Sequence, residues 1–131
     1  MSGKKGWFYH ARLDLLSAKA LFELPAPIYE NVGFHCQQCM EKTIKGYLHA
    51  QKVRFPKTHN IGFLLTLLEK ESTELASSLN WARDLTDYGV FVRYPGAVVV
   101  DLSPGRVMKL LDLTQQAFGL VLEQVREEDS L

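Results

Sequence analysis

The stretch that decides the fold is residues 7–24, WFYHARLDLLSAKALFEL. Phe8, Ala11, Leu15, Ala18 and Phe22 recur at alternating spacings of three and four, which a helix of 3.6 residues per turn lays along one face. Pro25 and Pro27 end this first helix, because proline lacks the amide a helix needs and restricts the residue before it. A second helix is predicted from Tyr29 to Gln51, with the stripe Val32, Cys36, Cys39 or Met40, Thr43 and Tyr47. Lys52 to Thr58 contains Pro56 and no apolar period and reads as a loop.

A third helix is expected from His59 to Lys70 on Ile61, Leu64, Leu65 and Leu68. A fourth, Glu74 to Val90, places Leu75, Leu79, Ala82, Leu85 or Thr86 and Gly89 on one side, and Pro95 and Gly96 stop it. Ala97 to Val100 has no partner strand and reads as an extended loop. Ser103 followed by Pro104 is a strong helix start, and the last helix runs to about Glu127 with Val107, Leu110, Leu111, Thr114, Phe118, Val121, Leu122 and Val125 inward. The expected architecture is all-α, an antiparallel up-and-down bundle of about five helices in one domain spanning 1–131. Its ordered core covers about 7–126, ahead of a frayed acidic tail. The stripes of helices two and five are broad enough to face both a core and a second subunit, which predicts a homodimer.

At 131 residues the chain holds one core, large enough to need no disulfide or metal. Fifteen Lys and Arg balance fifteen Asp and Glu, so no global field gathers a polyanion and any nucleic-acid site must be local. Apolar runs fall far short of the ~20 residues a membrane span requires. The start, MSGKKGWFYH, continues into Arg12, Asp14 and Lys19 and not into an apolar signal core, so a cytoplasmic protein with no membrane partner is expected.

Cys36 and Cys39 have the spacing of a redox or zinc pair, yet they lie mid-helix on the apolar stripe, and only His35 is near. They read as small core residues, and neither metal nor cofactor is expected. His59 opens a helix after Thr58, where a polar side chain serves as cap or ligand contact. Between Glu41 and Asn60, Lys42, Lys45, Lys52, Arg54 and Lys57 face Glu41 alone, an anion seat or a solvated surface, and the sign reverses between Glu69 and Asp87. Arg93 and Tyr94 precede Pro95. The guanidinium grips phosphate and the ring stacks on a base, or else the two only bridge and pack the helix end.

Phe34 to Leu48 (FHCQQCMEKTIKGYL), then Lys57 to Ile61 (KTHNI), then Arg93-Tyr94-Pro95, with Ala11 to Lys19 in the first helix, resemble the HEPN family, named for "higher eukaryotes and prokaryotes nucleotide-binding". Where relatives often carry small alanines on the second helix, this chain has Cys36 and Cys39. The resemblance implies a helical bundle, usually dimeric, often encoded beside an MNT-type minimal nucleotidyltransferase in two-component, toxin–antitoxin-like modules. It implies a site for an ATP-like nucleotide or RNA at Arg93 and Tyr94, with Lys42, Lys45 and His59 as further candidates. Relatives that are metal-independent RNases place a His four to six residues after an Arg in a late helix; here no His follows Arg93. Arg54 and His59 have that spacing but lie between helices two and three and read as a chance match. Without an imidazole to move a proton near neutral pH, catalysis is not expected. A non-catalytic nucleotide-binding module working with the nucleotidyltransferase is the leading reading. An RNase toxin and a purely structural interaction domain are the alternatives.

Overall fold

The structure, a computed structural model, describes residues 3–85 and 103–130, with side chains for 6–85 and 103–126. The elements among the described residues are all helices: α1 (Gly3–Phe22), α2 (Tyr29–Ala50), α3 (Ile61–Glu71), α4 (Thr73–Ser78), a 3₁₀ turn (Asn80–Asp84) and α5 (Pro104–Ser130). No described helix is long and apolar enough to cross a membrane.

The prolines after Phe22 turn the chain back, and α2 runs antiparallel along α1. The register is visible in the cross-helix pairs: Phe22 meets Tyr29, Asp14 meets His35, and the Cβ position of Gly46 meets Phe8. As numbers fall on α1 they rise on α2. A Cβ at Gly46 would stand 2.7 Å from Phe8 Cε1, so the missing side chain is what lets the two helices approach so closely here.

α2 also packs against α3 and α5, which makes it the central element. Residues 43 to 48 are all buried, so the helix is enclosed around its full circumference, and its fully exposed residues, Glu30, Asn31 and His49, lie near its ends. Its broad apolar pattern is consumed by three neighbouring helices. The core joins Phe8, Ala11, Leu15 and Ala18 of α1 to Val32, Met40, Ile44 and Leu48 of α2, Leu64, Leu65 and Leu68 of α3, and Val107, Phe118 and Val121 of α5.

Several boundaries differ from the sequence reading: α1 begins at Gly3 and not at Trp7, and α5 continues past Glu127 to Ser130, into the acidic segment expected to fray. α3 begins at Ile61 and not at His59, because the Asn60 side chain caps it, accepting from the Phe63 amide at 3.0 Å. The expected fourth helix is interrupted: α4 ends at Ser78, and the chain tightens into the 3₁₀ turn after Leu79. Ser77, Ser78 and Asn80 are weak helix formers. The tighter turn keeps Leu79 and Ala82 buried while Arg83 reaches the Asn80 side chain and the Gly62 carbonyl. The rest of that expected helix, residues 86–90, and the extended loop at 97–100 lie outside the described residues.

The end of α2 determines how the following loop leaves the core. The Lys52 amide donates to His49 O and the Val53 amide to Leu48 O, the paired bonds of a Schellman motif. Lys52 therefore sits at φ 60°, where glycine is the usual occupant, and Val53 packs back against the core. Lys52→Gly should raise stability by about 0.5–1 kcal/mol in urea unfolding, with an unchanged m-value.

Candidate functional site

Of the candidate residues, Lys42, Lys45 and His59 fall within the described part of the chain, and Arg93 and Tyr94 lie outside it. Helical geometry separates the two lysines onto different carboxylates. Lys42 Nζ donates to Asp14 Oδ2 of α1 at 2.7 Å, and His35 Nδ1 lies 2.9 Å from the other oxygen of the same carboxylate. Lys45 Nζ donates to Glu41 Oε2 at 3.0 Å, one turn back on its own helix.

Glu41 is the more deeply buried of the two acids. It is 3 % exposed, and such a charge costs several kcal/mol of desolvation unless surrounding groups neutralise and hydrogen-bond it. Lys45 supplies the positive charge and places its ammonium 5.4 Å from the centre of the Trp7 ring, a cation–π distance. The Gln37 amide donates to Oε1, and Gln38 donates to Gln37 in turn. From the far side His59 brings Nδ1 to 3.1–3.2 Å of both Glu41 oxygens. A carboxylate only accepts, so Nδ1 carries the proton there and Nε2 is left on the outward edge of a ring that is 83 % exposed.

The structure thus brings Lys45 and His59 together and sends Lys42 elsewhere. Both lysines are already neutralised by internal acids. The solvent-facing positive charge sits on the loop between α2 and α3, where Lys52, Arg54 and Lys57 are exposed and make no ion pair among the described residues. Phe55 anchors this loop edge-on against Trp7, with ring centroids 5.9 Å apart, so the cations project from a fixed segment.

Asp14, His35 and Gln37 were not among the residues singled out for the site. A signal for Asp14 existed, because it falls among the inward positions Ala11, Leu15 and Ala18, where an acid needs a partner. Glu41 and Lys45 stand four apart with the acid first, the favourable order for a helical pair.

Cys36 and Cys39 are fully buried and unbonded to each other. Burial, which penalises the thiolate, pushes each thiol up to about 12. No group of three or more His, Cys, Asp or Glu among the described residues is placed to hold a metal. A groove of about 540 Å³ runs along α5, but its lining includes Asp112 and Glu123 and no cation, the wrong charge for phosphate.

Compared with known families, residues 5–125 match the model of the HEPN domain. The chain belongs to the HEPN domain family. Among solved structures, the HEPN chain is similar to TT1696 from Thermus thermophilus, at 26 % identity over 94 % of this chain and 98 % of that one, TM-score 0.74. It also shares its fold with ST0689, an archaeal HEPN homologue, at 23 % identity over 95 % of this chain and 99 % of that one, TM-score 0.69. No curated protein matches it.

The thiols give the site a test of its inertness. With both raised to about 12, the thiolate fraction at pH 8 is about 10⁻⁴, so the native protein should resist iodoacetamide for hours and both cysteines should alkylate once guanidinium unfolds it. Mass spectrometry of the quenched samples reads the outcome, and full alkylation of the native chain would contradict this burial.

Proposed function

We propose that this HEPN protein is a non-catalytic, homodimeric module that binds an ATP-like nucleotide or an RNA phosphate and acts with an MNT-type nucleotidyltransferase in a two-component, toxin–antitoxin-like system. The observation that carries the reading is the concentration of exposed positive charge: in a chain of net charge zero, Lys52, Arg54 and Lys57 all face solvent within one short loop. A loop of this kind concentrates positive potential where a phosphate binds. Arg93 and Tyr94 complete the site in this reading, the guanidinium on phosphate and the ring on a base. His59 presents its Nε2 edge beside the loop cations. Lys42 and Lys45 contribute by holding Asp14 and Glu41, which set the frame.

One observation favours a second reading, cleavage of RNA without metal. His59 follows Arg54 by five positions, and Glu41 fixes its ring, an arrangement suited to orienting a proton-transfer group. The absence of any His after Arg93 is why binding without cleavage is the reading adopted.

Thermal-shift titration with ATP and a short RNA separates these readings. At a hundredfold excess over Kd, binding should add about 2.7 kcal/mol and raise Tm by several degrees. Arg93→Ala and the triple variant Lys52→Ala/Arg54→Ala/Lys57→Ala should each abolish the shift. Incubation of the same RNA with wild type and His59→Ala should show no cleavage. Cleavage lost in His59→Ala would establish the RNase reading, and no shift with either ligand would leave a structural interaction domain.

A further inference from the structure

The His59 ring, at the end of the basic loop, is held so that only one of its nitrogens can change state. Nδ1 lies 3.1–3.2 Å from both oxygens of Glu41, and its proton is fixed there because a carboxylate only accepts. The backbone on either side is pinned as well: the Asn60 amide donates to Thr58 Oγ1 at 3.0 Å, and the Asn60 side chain caps α3. Glu41 is gripped in turn by Lys45 and Gln37, both buried. A neutral histidine free in solvent exchanges its proton between the two nitrogens. This one, whenever it is neutral, turns a bare Nε2 lone pair outward.

An anion at the loop therefore meets two different surfaces, according to the state of Nε2. A bare Nε2 is an acceptor, and so is a phosphate oxygen, so the neutral ring offers no hydrogen bond and sets two lone pairs against each other. A proton on Nε2 turns the same edge into a charged donor. The charge it adds is not cancelled from within, because Lys45 already neutralises Glu41. The other charged groups around the ring are Arg54 and Lys57 of the loop, and Arg83, which reaches the first turn of α3 from the 3₁₀ turn. All three are cations, which draw an anion toward the exposed edge.

We propose that His59 is a proton-controlled ligand of the basic loop: only its charged form takes an RNA phosphate oxygen, on Nε2–H, so the loop holds RNA more tightly in acid than in base. Imidazole is the side chain that ordinarily changes charge between pH 5 and 8, and affinity is lost as pH rises through that range. Glu41 acts here as a positioning residue. By keeping the first proton on Nδ1 it denies the neutral ring an outward donor, which makes the contact depend on the second proton. The inference rests on the phosphate-binding reading above and gives that site its regulation.

Fluorescence anisotropy with a labelled oligouridylate that lacks terminal phosphates tests this, since a terminal phosphate itself titrates at about pH 6. Wild type should bind at least about fivefold more tightly at pH 5.5 than at pH 8. His59→Gln should bind equally at both, and His49→Gln, which alters the exposed histidine at the end of α2, should keep the wild-type difference. Binding and protonation are linked, so the RNA should also raise the pH midpoint of the His59 ring, followed by nuclear magnetic resonance in the wild type. Binding that is equal at the two pH values would overturn the proton link and leave the phosphate-binding reading standing. A midpoint that RNA leaves in place, or a pH dependence that survives in His59→Gln, would overturn the link as well. No binding of the RNA at any pH would overturn the RNA reading and this proposal together.

Discussion

A carboxylate placed inside a helical bundle imposes its demands on everything around it. Glu41 projects from the central helix of the described residues, and removing its charge from water is tolerable only if cations and donors surround it. Lys45 is drawn under it and over Trp7, Gln37 turns toward it, and His59 reaches it from the start of α3. That last contact crosses 18 residues of sequence and ties the end of the basic loop to the central helix. Loop geometry is thereby set from both sides: the Schellman turn at Lys52 fixes how the chain leaves α2, and Glu41 fixes where it arrives.

Asp14 plays the corresponding part between α1 and α2, taking Lys42 on one oxygen and His35 on the other. Together the two acids divide the basic residues of this region into two groups. Lys42 and Lys45 are spent on internal neutralisation, whereas Lys52, Arg54 and Lys57 keep their charge available to solvent. The proposed binding role rests on the second group, and the first explains why the helix can carry lysines so close to its core. α1 buries Phe8, Ala11, Leu15 and Ala18 and leaves Tyr9, Leu13 and Leu16 exposed.

Much of this was legible from periodicity. The alternating threes and fours of α1, the prolines after it and the Ser103-Pro104 start of α5 are local signals, and local signals specify local structure. The break after Ser78 was not legible, because the apolar spacing of Leu75, Leu79 and Ala82 suits a continuous helix, and the contacts of Arg83 with Asn80 and with Gly62, 21 residues away, accompany the tighter turn. Asn60 and His59 both stand at a helix entry, and composition does not tell which one caps it. The lysines of α2 read as a single basic patch because Asp14, which claims one of them, is 28 residues away in the chain. The wide stripe of α2 reads as core plus interface, since pattern alone does not distinguish a helix touching a second subunit from one surrounded by three helices of its own chain. Membership of the HEPN family was legible from separated motifs in order, and the match over residues 5–125 agrees with it.

The bond between the Glu41 carboxylate and His59 ties the basic loop to α2, and the position of the ring proton is directly observable. Long-range proton–nitrogen correlation spectra of ¹⁵N-labelled protein, taken where His59 is neutral, distinguish a proton on Nδ1 from one on Nε2. The structure predicts the Nδ1–H form in wild type and its loss in Glu41→Gln, with Lys45 and the fold retained. A wild-type His59 in the Nε2–H form, unchanged by Glu41→Gln, would mean that the carboxylate does not hold the loop.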